Sequence, residues 1–202
     1  MEKTLVPHPH RKVAATNNLH KLKEIRPLLE PDFQILSLQE IGCHEELPET
    51  QDTIEGNSLQ KAMYVFENYH YACFADDTGL EVEALHGAPG VYSARYAGEQ
   101  RNSKDNITLL LKNLEHHSNR SARFKTVISL VGPEGIQTFE GIVKGTILTE
   151  ERGTLGFGYD PVFQPEGYSK TFAEMSLEEK NQLSHRAIAM QQLVKFLKGI
   201  KS

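Results

Sequence analysis

Tryptophan is absent from this 202-residue chain, and only two cysteines occur, Cys43 and Cys73. They are far apart and form no Cys-x-x-Cys pattern. This excludes a disulfide scaffold and a zinc ribbon as readings and fits a reducing, cytoplasmic setting. No apolar run approaches the roughly 20 residues that a membrane-spanning helix needs. The N-terminal stretch lacks the apolar region of a signal peptide, so residues 1–11 are expected to be a polar, poorly ordered terminus despite the possible ligands His8 and His10. A long basic block is also missing, and the net charge is -5 with His neutral. That balance argues against a binder of duplex nucleic acid. It leaves a small anionic ligand open, because a few local cations suffice for one. No internal repeat or low-complexity linker divides the chain, so a single domain over residues 1–202 is expected.

The apolar pattern reads as alternating strands and helices. Lys12 to Ala15 is a short strand, Asn18 to Leu29 a helix with Leu22, Ile25 and Leu29 on one face, and Phe33 to Leu38 a second strand. After an acidic loop, Thr53 to Tyr69 is an amphipathic helix. Tyr69 to Phe74 reads as a buried strand that ends at Asp76-Asp77, with Gly79 permitting a sharp turn. Ser103 to Leu114 reads as a helix capped by Ser103. Ala122 to Val131 and Gln137 to Thr149 form a hairpin through Gly132-Pro133-Glu134-Gly135. Ser176 with Glu179 has the spacing of a capping box, and Ser184 caps a final helix to about Lys198. Early helix–strand alternation followed by a hairpin implies an α/β protein with a mixed sheet.

Five segments carry chemistry. In Ala75-Asp76-Asp77-Thr78-Gly79-Leu80, two adjacent carboxylates are costly to desolvate unless a cation lies close by. A hard cation such as magnesium is the simplest occupant, and a solvated turn is the alternative. Thr16-Asn17-Asn18-Leu19-His20-Lys21 stands at a strand-to-helix junction. Unpaired N–H groups and the positive dipole end suit phosphate there, with Lys21 as a point charge. The glycines of a Walker loop are missing, and an Asn-capped surface helix is the plainer reading. Glu49 precedes the second helix, and Asn57 and Lys61 share one of its faces. Gly153 to Pro161 is rich in glycine, which lets backbone approach a flat ligand. Phe157 and Tyr159 flank Gly158 with π faces, a tight loop whose aromatics plug the core being the equal alternative, and Asp160 can accept from a base. Lys180, His185 and Arg186 add donors shortly after.

These segments, together with Gly87-Ala88-Pro89-Gly90-Val91-Tyr92-Ser93-Ala94-Arg95-Tyr96-Ala97-Gly98 and Thr171-Phe172-Ala173-Glu174-Met175, occur in an order that resembles the noncanonical purine nucleoside triphosphate pyrophosphatases. These are also called inosine/xanthosine triphosphate pyrophosphatases. The resemblance runs from about Lys12 to the end of the chain. It implies an elongated α/β fold, a mixed sheet with flanking helices and two lobes around a central cleft, in a homodimer. It implies magnesium-dependent hydrolysis of inosine, deoxyinosine and xanthosine triphosphates to monophosphate and pyrophosphate, which cleanses the nucleotide pool before such bases enter DNA or RNA. By the same resemblance, Thr16, Asn17, Asn18, Leu19, His20 and Lys21 bind the phosphates, and Lys61 assists them. Glu49 and Asp77 hold magnesium, Asp77 is the catalytic proton acceptor, and Thr78 touches substrate. Phe157, Gly158, Tyr159, Asp160, Lys180, His185 and Arg186 recognise the base. Thr78 stands where Ser is commoner, which keeps the hydroxyl. Arg95 has no assigned role.

Two other functions compete. One is a pyrophosphatase of modified or pyrimidine nucleotides on a similar fold. The other is a nucleotide sensor without turnover, against which the intact Glu49 and Asp77 argue. No covalent nucleophile stands out, and none is needed if water attacks a charge-neutralised phosphate.

Overall fold

The computed structural model describes residues 10–16 and 19–199. Among them, seven strands form one sheet in the order β2-β1-β3-β5-β6-β7, with β4 paired to β3. The strands are β1 (Arg11–Ala14), β2 (Gln34–Leu36), β3 (Cys73–Val82), β4 (Pro89–Gly90), β5 (Ser121–Gly132), β6 (Gly135–Ile147) and β7 (Phe163–Pro165). The helices are α1 (Leu19–Leu29), α2 (Ile54–Tyr69), α3 (Ser103–Asn113), α4 (Leu177–Leu183) and α5 (His185–Gly199). β1 runs parallel to β2 and β3, while β3 with β4 and β6 with β7 are antiparallel, so the sheet is mixed.

By internal contacts the chain divides into two compact units. The first holds residues up to Asp77 with Val127–Phe139 and Met190–Ser202, and the second holds Thr78–Thr126 with Glu140–Ala189. In the first unit, Val13, Leu38, Cys43, Val65 and Cys73 form one buried cluster, and Ala62, Ala75 and Val131 another. Cys73 is core, as the apolar run around it implied. Helix α2 starts where Thr53, in extended conformation, accepts a hydrogen bond from Gly56 N–H, and it ends at His70 with φ 59°. In the second unit, Leu80, Val82, Ile107, Leu110, Ile147, Phe163 and Phe172 pack together. Phe124 sits edge-on to Phe163 at 4.6 Å between ring centroids.

Three local expectations change. The acidic pair does not end a strand: β3 begins only at Cys73 and runs on through Asp76, Asp77 and Gly79 to Val82, so Gly79 makes no turn. The cap of α3 is Asn102, whose side chain accepts from the N–H groups of Lys104 and Asp105; Ser103 is already the first helical residue. β2 is shorter than the apolar run around it, three residues against Phe33 to Leu38. The capping box of Ser176 and Glu179 forms as expected. So does the cap of α5, where Ser184 Oγ accepts from Ala187 N–H at 3.2 Å.

Candidate active site

Within the first unit, the acidic pair meets a lysine. Lys61 Nζ donates to Glu49 Oε1 at 2.7 Å, to the Asp76 carbonyl at 2.8 Å and to Asp77 Oδ1 at 3.2 Å. Three elements position these groups. Glu49 sits in the loop before α2, and that loop is stapled to the helix: Thr50 N–H donates to Gln60 Oε1, Gln60 Nε2 donates to Thr50 Oγ1, and Gln51 N–H donates to Asn57 Oδ1. Lys61 comes from the same buried face as Asn57, one turn later. β3 is held to α2 just before the acids, where the buried Ser58 hydroxyl donates to the Ala75 carbonyl at 2.8 Å and lies 2.9 Å from Ser129 Oγ.

The electrostatics are those of one cation shared among acids. Burial disfavours the Lys61 ammonium, but Asp77, Glu49 and Asp76 together outweigh that, and the lysine is held above its ordinary value. Asp77 is pushed above the usual carboxylate range, first by burial and then by repulsion from Glu49 and Asp76, which Lys61 only partly offsets. The two directions agree physically: the single ammonium gains from several carboxylates, while each carboxylate has only a share of it. Its side chain is 15 % exposed, which leaves Asp77 reachable.

These residues fit a magnesium ion. Glu49 Oε1 and Asp77 Oδ1, from different elements, both reach the Lys61 ammonium, and magnesium takes one or two carboxylates plus waters and substrate phosphates. Among the described residues no group of three or more His, Cys, Asp or Glu could form an all-protein cage. Of the expected phosphate segment, Thr16 follows β1 and its N–H donates to the Ala14 carbonyl at 2.6 Å. Asn17 and Asn18 lie outside the described residues. Leu19, His20 and Lys21 form the first turn of α1.

The second unit contains a cavity of about 230 Å³. This is below the ~300 Å³ at which pockets for drug-sized ligands begin, and suits a single base. Thr78, Phe157, Gly158, Tyr159, Asp160, Lys180, His185 and Arg186 all line it, so residues far apart in sequence converge. Phe157 is 68 % exposed and presents its ring, with Lys180 Nζ 4.9 Å and the Arg186 guanidinium 5.9 Å from the ring centroid. Tyr159 is different. It is only 4 % exposed, belongs to the core, and its hydroxyl donates to the Ser93 carbonyl at 2.9 Å.

The Gly153 to Pro161 loop is shaped from inside by Asp160. Its buried Oδ2 accepts from Phe157 N–H at 2.8 Å and from Lys180 Nζ. Gly156, at φ +78°, passes so close that a Cβ there would lie 2.1 Å from Asp160 Oδ2. Lys180 and Asp160 thus form a largely buried ion pair. His185, 6 % exposed, stacks on Phe124 at 4.8 Å and places Nδ1 2.6 Å from Thr126 Oγ1. The backbone of β6 backs this residue tightly: a Cβ on Gly141 would lie 1.9 Å from the His185 carbonyl oxygen.

Sequence reasoning missed Thr126, Phe124, Ser93 and Asn106. Thr126 carries the one hydroxyl on the alternating inward face Ala122, Phe124, Thr126, Ile128 of β5, and that break in an apolar stripe was the available signal. Asn106 Oδ1 accepts from Ala97 N–H, and its Nδ2 donates to the Ala94 carbonyl, which ties the Gly87 to Gly98 motif to α3. Arg95 lies over the exposed ring of Tyr92 at 5.3 Å. A larger concavity of about 870 Å³ in the same unit is lined by Glu81, Arg123, Lys144 and Tyr168 and includes none of the residues lining the smaller cavity. Arg123 is already paired with Glu81 there. Size alone therefore does not mark the site.

Comparison with known proteins agrees in extent. The model of the Ham1 family matches residues 12–196. A dITP/XTP pyrophosphatase of Flavobacterium johnsoniae is 57 % identical over 190 residues, 94 % of this chain and 98 % of that protein. One of Bacillus subtilis is 44 % identical over 93 % of this chain and 96 % of its own. The Ham1 protein of Staphylococcus aureus has a solved structure that superposes with a TM-score of 0.90 at 39 % identity, covering 94 % of this chain and 98 % of that one.

Proposed function

The chain belongs to the Ham1 family, and on that premise we propose that it hydrolyses inosine, deoxyinosine and xanthosine triphosphates to the monophosphate and pyrophosphate, removing them from the nucleotide pool. The observation that carries the reaction is the convergence of Glu49 and Asp77, from two separate elements, on one ammonium. Relatives across nearly the whole chain bear the name dITP/XTP pyrophosphatase, which supports the substrate class.

Glu49 and Asp77 hold a magnesium ion in this reading, which supplies charge neutralisation at the phosphates. The protein's own groups do the rest. Lys21 and the backbone N–H groups opening α1 bind phosphate oxygens, and Lys61 adds positive charge beside Asp77. A water oxygen attacks the α-phosphorus. The bond from that phosphorus to the bridging oxygen breaks, and pyrophosphate leaves with the oxygen. Asp77 takes the proton of the attacking water, a task open to a carboxylate that is largely buried yet reachable. Phe157 stacks on the base, while Lys180, His185 and Arg186 serve its keto oxygens.

The same proposal includes a homodimer in the cytoplasm. The resemblance supports both, and no described helix is long and apolar enough to cross a membrane. Light scattering on the purified chain tests the dimer. The decisive experiment for the function is pyrophosphate release from a panel of triphosphates with and without magnesium. Inosine, deoxyinosine and xanthosine triphosphates should be cleaved well ahead of adenosine and pyrimidine triphosphates. Binding without turnover, or preference for a modified pyrimidine, overturns the reading.

A further inference from the structure

We infer that Thr126 is a positioning residue that couples the tautomer of His185 to the hydroxyl of Thr78 and thereby links the identity of the base to both. The inference rests on the reading of His185 as a base contact. Three side chains of the second unit form a continuous hydrogen-bonded row: Thr78 Oγ1 lies 2.8 Å from Thr126 Oγ1, which lies 2.6 Å from His185 Nδ1. Thr126 is fully buried in the middle of it. Thr78 and His185, the two ends, both line the base cavity.

A threonine hydroxyl has one proton to donate, and a neutral imidazole donates from one nitrogen and accepts at the other. With both bonds made, an order in which Thr126 accepts from both ends leaves its own buried proton without a partner, so two orders remain. In the first, Thr78 donates to Thr126, Thr126 donates to His185 Nδ1, and the ring carries its proton on Nε2. In the second, His185 donates from Nδ1 to Thr126, Thr126 donates to Thr78, and Nε2 is an acceptor. Because Nδ1 is occupied by Thr126, the ring meets a ligand through Nε2.

The base selects between these orders. The 6-keto oxygen of hypoxanthine or xanthine accepts, so it requires Nε2–H and the first order. The 6-amino group of adenine donates, so it requires the second. Accepting adenine therefore means reversing both hydrogen bonds of the row and turning the Thr78 hydroxyl proton toward the cavity. Rejection is thus spread over three residues, and Thr78, the neighbour of Asp77 in the chain, reports which base is bound. Stacking of the ring on Phe124 holds it in plane while the order is set.

Two variants and one spectrum test this on the full-length protein. Thr126→Val keeps the shape and removes the hydroxyl. It should lower the ratio of kcat/KM for inosine over adenosine triphosphate by about tenfold, the worth of one hydrogen bond. Thr126→Ser, which keeps the hydroxyl, should hold that ratio within about twofold. In the wild-type protein with ring-labelled histidine and bound inosine monophosphate, nitrogen NMR should show His185 protonated on Nε2 and bare on Nδ1, the signal being assigned by its loss in His185→Gln. A wild-type ring protonated on Nδ1, alone or with Nε2, overturns the inference. So does an unchanged ratio in Thr126→Val, or a ratio that collapses equally in Thr126→Ser. Should Thr126→Val not fold, the wild-type spectrum and the Ser variant still decide. If the wild-type protein cleaves no inosine or xanthosine triphosphate, the functional reading fails instead, and the spectrum then judges the tautomer separately.

Discussion

The ammonium of Lys61 lies 3.2 Å from the carboxylate of Asp77 while also donating to Glu49 and to the Asp76 carbonyl. One buried cation therefore stands where the acidic motif needs positive charge, and the first prediction follows from how incompletely it serves Asp77.

Asp77→Asn keeps the shape of the site and removes both the proposed ligand charge and the proposed proton acceptor. Turnover should fall on the order of a hundredfold or more. Stability should not fall with it. The Asp77 carboxyl is raised in the folded protein, so the folded state binds a proton there more tightly than the unfolded chain does. The ionised form opposes folding, fully so above the folded value, and this cost disappears as pH falls to the ordinary carboxylate range. Without magnesium, Asp77→Asn should melt at or above the wild-type temperature at pH 8, with the advantage vanishing near pH 4. Thermal melts across that range check the sign; a variant that melts lower at pH 8 contradicts it.

Glu49→Gln should act on metal affinity. The half-saturating magnesium concentration for pyrophosphate release should rise, with kcat largely recovered at high magnesium. A titration curve superimposable on the wild type removes Glu49 from the metal site.

Lys21→Ala should lower kcat/KM for every triphosphate by a similar factor, because the phosphate charge is common to all. The ratio of inosine to adenosine triphosphate cleavage should stay constant. A collapsed ratio would mean that the phosphate end of the substrate has been misassigned.

Arg186→Ala should reduce inosine triphosphate cleavage and narrow its lead over adenosine triphosphate. Arginine donates only, and a polar site left unpaired against a wrong group can discriminate by up to about ten-thousandfold. If specificity constants show an unchanged ratio, keto recognition belongs elsewhere, most simply to loop N–H groups near Gly158.

Gly141→Ala should destabilise the protein by about 1–3 kcal/mol, as overpacking does, because the new methyl group meets the His185 carbonyl. Since the displaced residue lines the base cavity, base preference should weaken too. Denaturant unfolding and paired kinetics measure both effects.

Much of this was legible along the chain. The helix over Ile54–Tyr69 and the hairpin of β5 and β6 follow from periodicity and turn residues. The loop from Gly153 to Pro161 announced itself by glycine and aromatic content. What failed was local and had one cause: a residue type with two uses was read in its commoner one. Gly79 was taken for a turn, yet glycine also sits inside strands where backbones approach closely. Ser103 looked like a cap beside Asn102, and only geometry separates neighbouring cap formers. Tyr159, readable as stacking face or core plug, lines the cavity while giving most of its ring to the core and its hydroxyl to Ser93. Thr126 was invisible because its meaning lies in a partner 59 positions away.

The counter-ion built into the acidic site has a consequence for the protein's life between turnovers. Small metal domains whose carboxylates or thiolates have no internal partner unfold when the ion is stripped, because ion binding is their folding energy. Here Lys61 already offsets part of the charge at Glu49 and Asp77. Chelation should then silence the enzyme without denaturing it, and activity should return on adding magnesium alone, with no refolding step. A cell short of magnesium would carry an idle, intact pool of this protein, ready when the ion arrives together with its nucleotide.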